Sequence, residues 1–199
     1  MIQETIVTTQ SKSGQVHIAP MGIHVTRAAD PTASGFKLDP QFIILPFKPS
    51  TTLDNLLETK LAVINYCDDV RIFAGCLSGH SDWPLKPAEI INGHVLTMAL
   101  AHTEVELVRI EDDPSRPKLI CKVLHTVNHS PFLGFNRAQF AVLEAAILVS
   151  RLDRLPLEKI HQELDYLRIG LEKTAGEQEW EAWGWLLARI DQHRAGVKL

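Results

Sequence analysis

Hydrophobic positions in the first two thirds of the chain fall in short, often β-branched runs broken by Gly, Pro, Asp or Asn. After about residue 136 they lengthen and take a helical period. Residues 4–9 and 16–25 are extended runs on either side of Ser11-Lys12-Ser13-Gly14, which predicts a β-hairpin. Residues 28–40, rich in Pro, Gly, Ser, Thr and Asp, read as a loop; 41–47 read as a strand and 50–59 as a short helix. Residues 61–66 and 71–77 read as two strands around an Asp68-Asp69 turn. Gly79, Pro84 and Pro87 break 78–87 into a loop, and 95–110 and 119–127 read as strands flanking a polar turn at 111–117. Antiparallel strands with one short helix predict a barrel rather than a βαβ sheet.

The last third reads differently. Phe140, Leu143, Ile147 and Arg151 follow at steps of 3, 4 and 4 among alanines, and Leu157, Ile160, Leu164, Leu167 and Leu171 at steps of 3, 4, 3 and 4. Pro156 suits the first turn of the second stretch and Gly176 lies just past its end. Trp180, Trp183, Leu187 and Ile190 mark a third stretch. The pattern predicts two or three amphipathic helices whose stripes serve core or dimer packing. The expected class is α+β, mainly β: a barrel over residues 1–135 and a helical extension over 136–199 that packs on the barrel or at a dimer interface.

Composition narrows the picture. A chain of 199 residues, 45% hydrophobic, can bury one core plus an appendage. The net charge of -4 argues against bulk attraction to nucleic acid or to an anionic membrane. Cys67, Cys76 and Cys121 show no paired spacing and read as buried thiols of a reducing compartment. No apolar run approaches the ~20 residues that cross a bilayer, and the first residues carry no secretory pattern. The expectation is a cytoplasmic protein with no membrane or nucleic-acid partner.

Two segments can carry chemistry. In Phe47-Lys48-Pro49-Ser50-Thr51-Thr52-Leu53-Asp54-Asn55-Leu56 a strand gives way to hydroxyl residues and then a helix. Thr51 and Asp54 have capping-box spacing. The first-turn amides and the helix dipole attract an anion. Ser50, Thr51 and Thr52 can donate to phosphate oxygens, and Lys48 can supply counter-charge. A capped helix start with no ligand is the competing reading. In Ala19-Pro20-Met21-Gly22 a strand carries a residue without an amide hydrogen and one without a side chain. That fits an irregular edge or bulge, or the close approach of a flat ligand. His125 and His129 lie four apart without helical surroundings, and no metal is expected. Cys76 and His80 lack a third orienting group. Arg137 can reach a phosphate or carboxylate, or pair with Glu144.

Taken in order, Glu4-Thr5-Ile6-Val7-Thr8-Thr9, Ala19-Pro20-Met21-Gly22, the Phe47…Ser50-x-Thr52-x-x-Asn55-Leu56 segment and Val63-Ile64-Asn65 resemble the FMN-binding split β-barrel flavoproteins, flavin reductases among them. Asn136-Arg137-Ala138 and Val142-Leu143-Glu144-Ala145 are similar to motifs of an uncharacterised family of methanogenic archaea and methylotrophic bacteria that also ends in helices. The resemblance implies FMN, with its phosphate near Ser50, Thr51, Thr52 and Asn55 and its ring near Pro20, Met21 and Gly22, close to a homodimer interface. Phe47 and Arg137 join the candidate cofactor-binding set. His17 stands where the reductases often have Asn.

The expected activity is that of an FMN-dependent oxidoreductase of flavin reductase-like type on a small-molecule substrate, with pterin or C1 chemistry as the associated class. A non-catalytic FMN carrier or sensor is the alternative, and a structural dimer whose site has decayed is a third. No catalytic residue is assigned, since hydride chemistry belongs to the flavin.

Overall fold

The computed structural model describes residues 1–26 and 41–197, so the expected loop at 28–40 lies outside the described residues. The chain divides into two compact units: Met1–Cys67 with Pro84–Pro131, and Asp68–Trp83 with Phe132–Leu199.

The first unit is a closed six-stranded antiparallel barrel. Its strands are β1 (Ile2–Gln10), β2 (Val16–Thr26), β3 (Gln41–Ile44), β4 (Leu61–Tyr66), β7 (Ala101–Glu111) and β8 (Lys118–Asn128). The order around the barrel is β1, β2, β3, β8, β7, β4, and β4 closes it by pairing with β1. The expected hairpin forms with nine paired positions, Ile2 opposite His24 through Gln10 opposite Val16. Alternation then sets the interior. Val7, Ile23, Ile44, Ile64, Val105 and Leu119 are among the side chains that fill it, while their sequence neighbours turn outward. A helix α1 (Thr51–Thr59) follows β3, rests on β1, and sends Leu53 and Leu56 into the same core.

The outer face of β1, β4 and β7 is covered too. A small hairpin, β5 (Leu85–Pro87) and β6 (His94–Leu96), lies over β1 and β4. Hence Thr5 through Thr9 are all buried, although they alternate between two faces. Asn65 fixes the hairpin in place. It is fully buried, its Nδ2 donates to the Ile6 carbonyl at 3.1 Å and to Thr8 Oγ1 at 3.2 Å, and its Oδ1 accepts from the Leu96 amide at 2.9 Å.

The second unit is helical. The run at 71–77, expected as a strand, is helix α2 (Arg71–Ser78). It joins α3 (Arg137–Val149), α4 (Leu157–Thr174) and α5 (Glu177–Arg194). Val70 and Ala74 at α2, the alanine face of α3, and Ile160, Leu164, Leu167 and Leu171 of α4 share one core. The α4 stripe is as expected. On α5 the buried face is Ala182, Trp183, Leu186 and Ile190, while Trp180 and Leu187 are exposed. On α3 the alanines are buried and Phe140 is exposed, because close helix contact selects small side chains. Asn136 caps α3 and ties it to α4. Its Oδ1 accepts from the Ala138 amide at 2.7 Å and its Nδ2 donates to the Thr174 carbonyl at 3.1 Å.

Three further expectations change. The strand at 41–47 stops at Ile44. The strand at 95–110 is two, β6 and β7, separated by a turn in which the Leu100 amide donates to the Tyr66 carbonyl at 2.8 Å. Gly176 starts α5 as its N-cap rather than simply closing α4.

Candidate functional site

The α1 N-terminus gathers most of the hydroxyl residues singled out in the sequence. Ser50, not Thr51, is the N-cap: its backbone is extended and its Oγ accepts from the Leu53 amide at 3.4 Å. The capping-box pairing of Thr51 with Asp54 is therefore replaced by a one-sided cap shifted back by one residue. The Asp54 amide donates to the Ser50 carbonyl at 3.0 Å, which leaves the Thr51 and Thr52 amides with no acceptor inside the helix. Thr51 is exposed. Thr52 is fully buried, and its Oγ1 has no hydrogen-bond partner among the described residues. A buried hydroxyl without a partner costs about 1–3 kcal/mol, so this one marks a place where an acceptor belongs. The hydroxyl, two amides without an acceptor inside the helix and the positive helix end belong to one turn, and their chemistry fits a phosphate.

The neighbouring residues are more committed. Asn55 is buried and its Nδ2 donates to Thr9 Oγ1 at 3.0 Å, tying α1 to β1. The Lys48 ammonium donates to Asp112 Oδ1 at 3.0 Å and to the Asp113 carbonyl at 2.9 Å. That hydrogen bond and the lysine charge hold the Asp112 carboxyl below its usual range. The Phe47 ring is half exposed and carries the Arg116 guanidinium 4.6 Å from its centre. This Arg116–Phe47 stack left no trace in the sequence pattern, because the β7–β8 turn that supplies Arg116 is distant in the chain.

Pro20, Met21 and Gly22 run along β2, half-buried, opposite Ile6, Thr5 and Glu4. The strand is not irregular against β1. Among the described residues its other edge is aligned with β3 only at His24, Val25 and Thr26, so Pro20 sits where a missing donor is tolerated. Gly22 has a local reason as well: a Cβ there would stand 3.0 Å from the Ile2 side chain and 3.6 Å from the Glu4 carboxylate. His17, at the start of the same strand, is half-buried, and burial lowers its pKa. Arg137 belongs to the helical unit, where it begins α3 and lines a groove with Phe140, Tyr166 and Ile169.

The other titratable candidates have different partners. His80 stacks on Trp185 with ring centres 4.1 Å apart, and its Nδ1 meets Ser78 Oγ at 3.1 Å. Burial pushes the Cys76 thiol up to about 11, the opposite of an activated thiolate. His125 pairs with Glu89 at 3.0 Å, and His129 with His102 at 2.8 Å. Reading the sequence missed His102 and Glu104. The available signal was their i, i+2 spacing, which puts two ionisable groups on one face of a strand otherwise buried.

Two family models cover most of the chain. That of the N-terminal domain of the protein family of unknown function DUF447 matches residues 3–130. The model described as protein of unknown function DUF447 matches residues 136–188. The chain belongs to this family. An FMN-bound DUF447 protein from Methanosarcina mazei is similar in fold, with a TM-score of 0.74 and 22% identity over 94% of each chain. A 2-nitrobenzoate 2-nitroreductase from Pseudomonas fluorescens matches with a TM-score of 0.52 and 21% identity, over 63% of this chain and 64% of that one. An FMN-binding protein from Thermus thermophilus, with bound p-hydroxybenzaldehyde, matches with a TM-score of 0.52 and 13% identity, over 63% and 71% of the two chains. No curated protein matches the sequence. The DUF447 chain described here thus has the FMN-binding split-barrel fold, joined to a helical unit. Among the described residues no helix is long and apolar enough to cross a membrane.

Proposed function

We propose that this chain binds FMN, with the phosphate at the N-terminus of α1, and acts as a flavin-dependent oxidoreductase on a small molecule. The observation that carries the reading is the buried Thr52 hydroxyl, without a partner among the described residues, in the same helical turn as two amides that have no acceptor inside the helix. The FMN-bound relative of the same family supports the choice of ligand. Ser50, Thr51 and Thr52 would hold the phosphate. The β2 segment Pro20, Met21 and Gly22 would lie along the ring, and Asn55 would keep α1 in register on β1 rather than touch the ligand. Lys48 adds only a partly neutralised counter-charge, because Asp112 already pairs with it. Bound FMN supplies hydride and electron transfer; the chain supplies orientation and the electrostatic setting.

A homodimer accompanies this reading. Phe132, Leu133, Phe135 and Phe140 are exposed on the helical unit, and Leu133 and Phe135 are 88% and 100% accessible. Apolar surface of that kind favours association through a two-fold interface.

The test is titration of flavin-free protein with FMN, FAD and riboflavin, followed by anaerobic addition of NADH or NADPH to the FMN complex. FMN should bind tightest, since one compact anion site accommodates a single phosphate, and a reduced nicotinamide should bleach the visible flavin absorption. Equal binding of riboflavin would remove the phosphate site, and failure of every reductant to bleach bound FMN would remove the oxidoreductase assignment.

A further inference from the structure

On the outer face of the barrel, beneath the β5–β6 hairpin, lies a cluster that the flavin site does not use. Glu104 on β7 is fully buried. Its two carboxylate oxygens accept from three successive backbone amides: Glu89 at 2.7 Å, Ile90 at 3.0 Å and Ile91 at 2.9 Å. His102, two residues earlier on the same face and also buried, places Nε2 3.2 Å from Glu104 Oε1. The other nitrogen of that ring, Nδ1, lies 2.8 Å from Nε2 of His129, and the two rings are within 13° of parallel. His129, just beyond β8, is half-buried. A chain of hydrogen bonds thus runs from a buried carboxylate to a ring at the surface.

Tautomers follow from the donors. Burial raises the Glu104 carboxyl, but the three amides and His102 outweigh it, and its pKa is lowered. An ionised Glu104 only accepts, so His102 carries its proton on Nε2. The Nδ1 of a neutral His102 is then an acceptor, and His129 must donate from Nε2. That leaves a lone pair on His129 Nδ1. Burial, Lys86 and His102 lower the His129 pKa, which keeps this nitrogen unprotonated near neutrality.

We propose that Glu104, His102 and His129 form a proton relay in which His129 is a surface acid–base group and His102 stores the proton beside an ionised Glu104. A proton arriving from a weak acid bonds to His129 Nδ1. The proton on His129 Nε2 passes to His102 Nδ1, whose ring becomes an imidazolium held against the carboxylate. Release reverses both transfers, and no other co-reactant is needed. Around the pair stand Lys86 of β5, Glu89 of the β5–β6 turn, and His125 of β8, the last paired with Glu89. The relay stands independently of flavin binding.

Nitrogen-15 and carbon-13 NMR of the full chain, without added flavin, tests it. At neutral pH both His102 and His129 should carry the proton on Nε2, and on acidification both rings should change together at one midpoint while the Glu104 carboxyl carbon stays at its ionised shift. A proton on His129 Nδ1 at neutrality, a His102 ring that does not respond while His129 titrates, or protonation of Glu104 in the same step would each overturn the relay. Glu104→Gln should lower the common midpoint by about one pH unit, because the carboxylate no longer offsets the imidazolium charge; an unchanged midpoint would overturn it as well. Should that variant not fold, the three wild-type readouts decide the question alone.

Discussion

At the scale of single residues, a buried polar atom is informative in proportion to how well it is paired. Thr52 and Glu104 stand at opposite ends of that range. The Thr52 hydroxyl has no partner among the described residues, so replacing it by the isosteric valine removes a desolvation cost from the free protein. Thr52→Val should leave the melting temperature of the flavin-free protein unchanged or raised, weaken FMN by about 1–3 kcal/mol, and leave riboflavin binding as it was. A joint fall in stability and in affinity for both flavins would mean that the residue only shapes the helix start. Glu104 is paired four times over, and its pKa is lowered in the folded state. It therefore binds fewer protons folded than unfolded. Its stabilising contribution is complete above the unfolded value of about 4.3 and is lost as pH falls through the lower folded value. Urea denaturation should show Glu104→Gln less stable than wild type by about 1–3 kcal/mol near neutrality, with the gap closing on acidification below about pH 4. Neither residue declared its state in the sequence. Thr52 was legible as a hydroxyl at a helix start, yet its isolation depends on burial. Glu104 depends on amides some fifteen positions away in the chain.

At the scale of elements, most strands were legible as short, β-branched runs bounded by Gly, Pro, Asp or Asn, a signal that survives even where both faces are buried, as in β1 and β4. The failure at Arg71-Ile72-Phe73-Ala74-Gly75-Cys76-Leu77 has a physical cause. Ile72, Phe73, Ala74 and Gly75 are buried in succession, so a helix of eight residues shows too few turns to reveal its period, and its β-branched and aromatic residues imitate a strand. Gly75 was the overlooked sign. A Cβ there would stand 2.5 Å from the His80 carbonyl, because the chain folds back across the helix end. Gly75→Ala should accordingly be destabilising, against the usual gain of glycine to alanine within a helix, and thermal denaturation measures the sign directly. Helix α3 offers a second test. Asn136 caps it and grips the end of α4, so Asn136→Ala should cost about 1–2 kcal/mol. The loss of helical signal on heating should begin at a lower temperature in that variant.

At the scale of the whole molecule, the proposed dimer rests on apolar side chains left in water around residues 132–140. Light scattering at low micromolar concentration should return twice the chain mass, and charged substitutions at Leu133 and Phe135 should shift it to the single chain. The family's own division, at about residues 130 to 136, runs between barrel and tail in sequence. In space, α2 is a loan from the first segment to the second, since it is encoded between β4 and β5 but buried with α3 and α5. A gene cut at that boundary would therefore yield two polypeptides that need each other. Produced alone, the N-terminal piece would carry Val70 and Ala74 with nothing to pack against and should precipitate. Produced together, the pieces should find one another and purify as a non-covalent pair. Such complementation would turn an inserted helix into a built-in adaptor for split reporters.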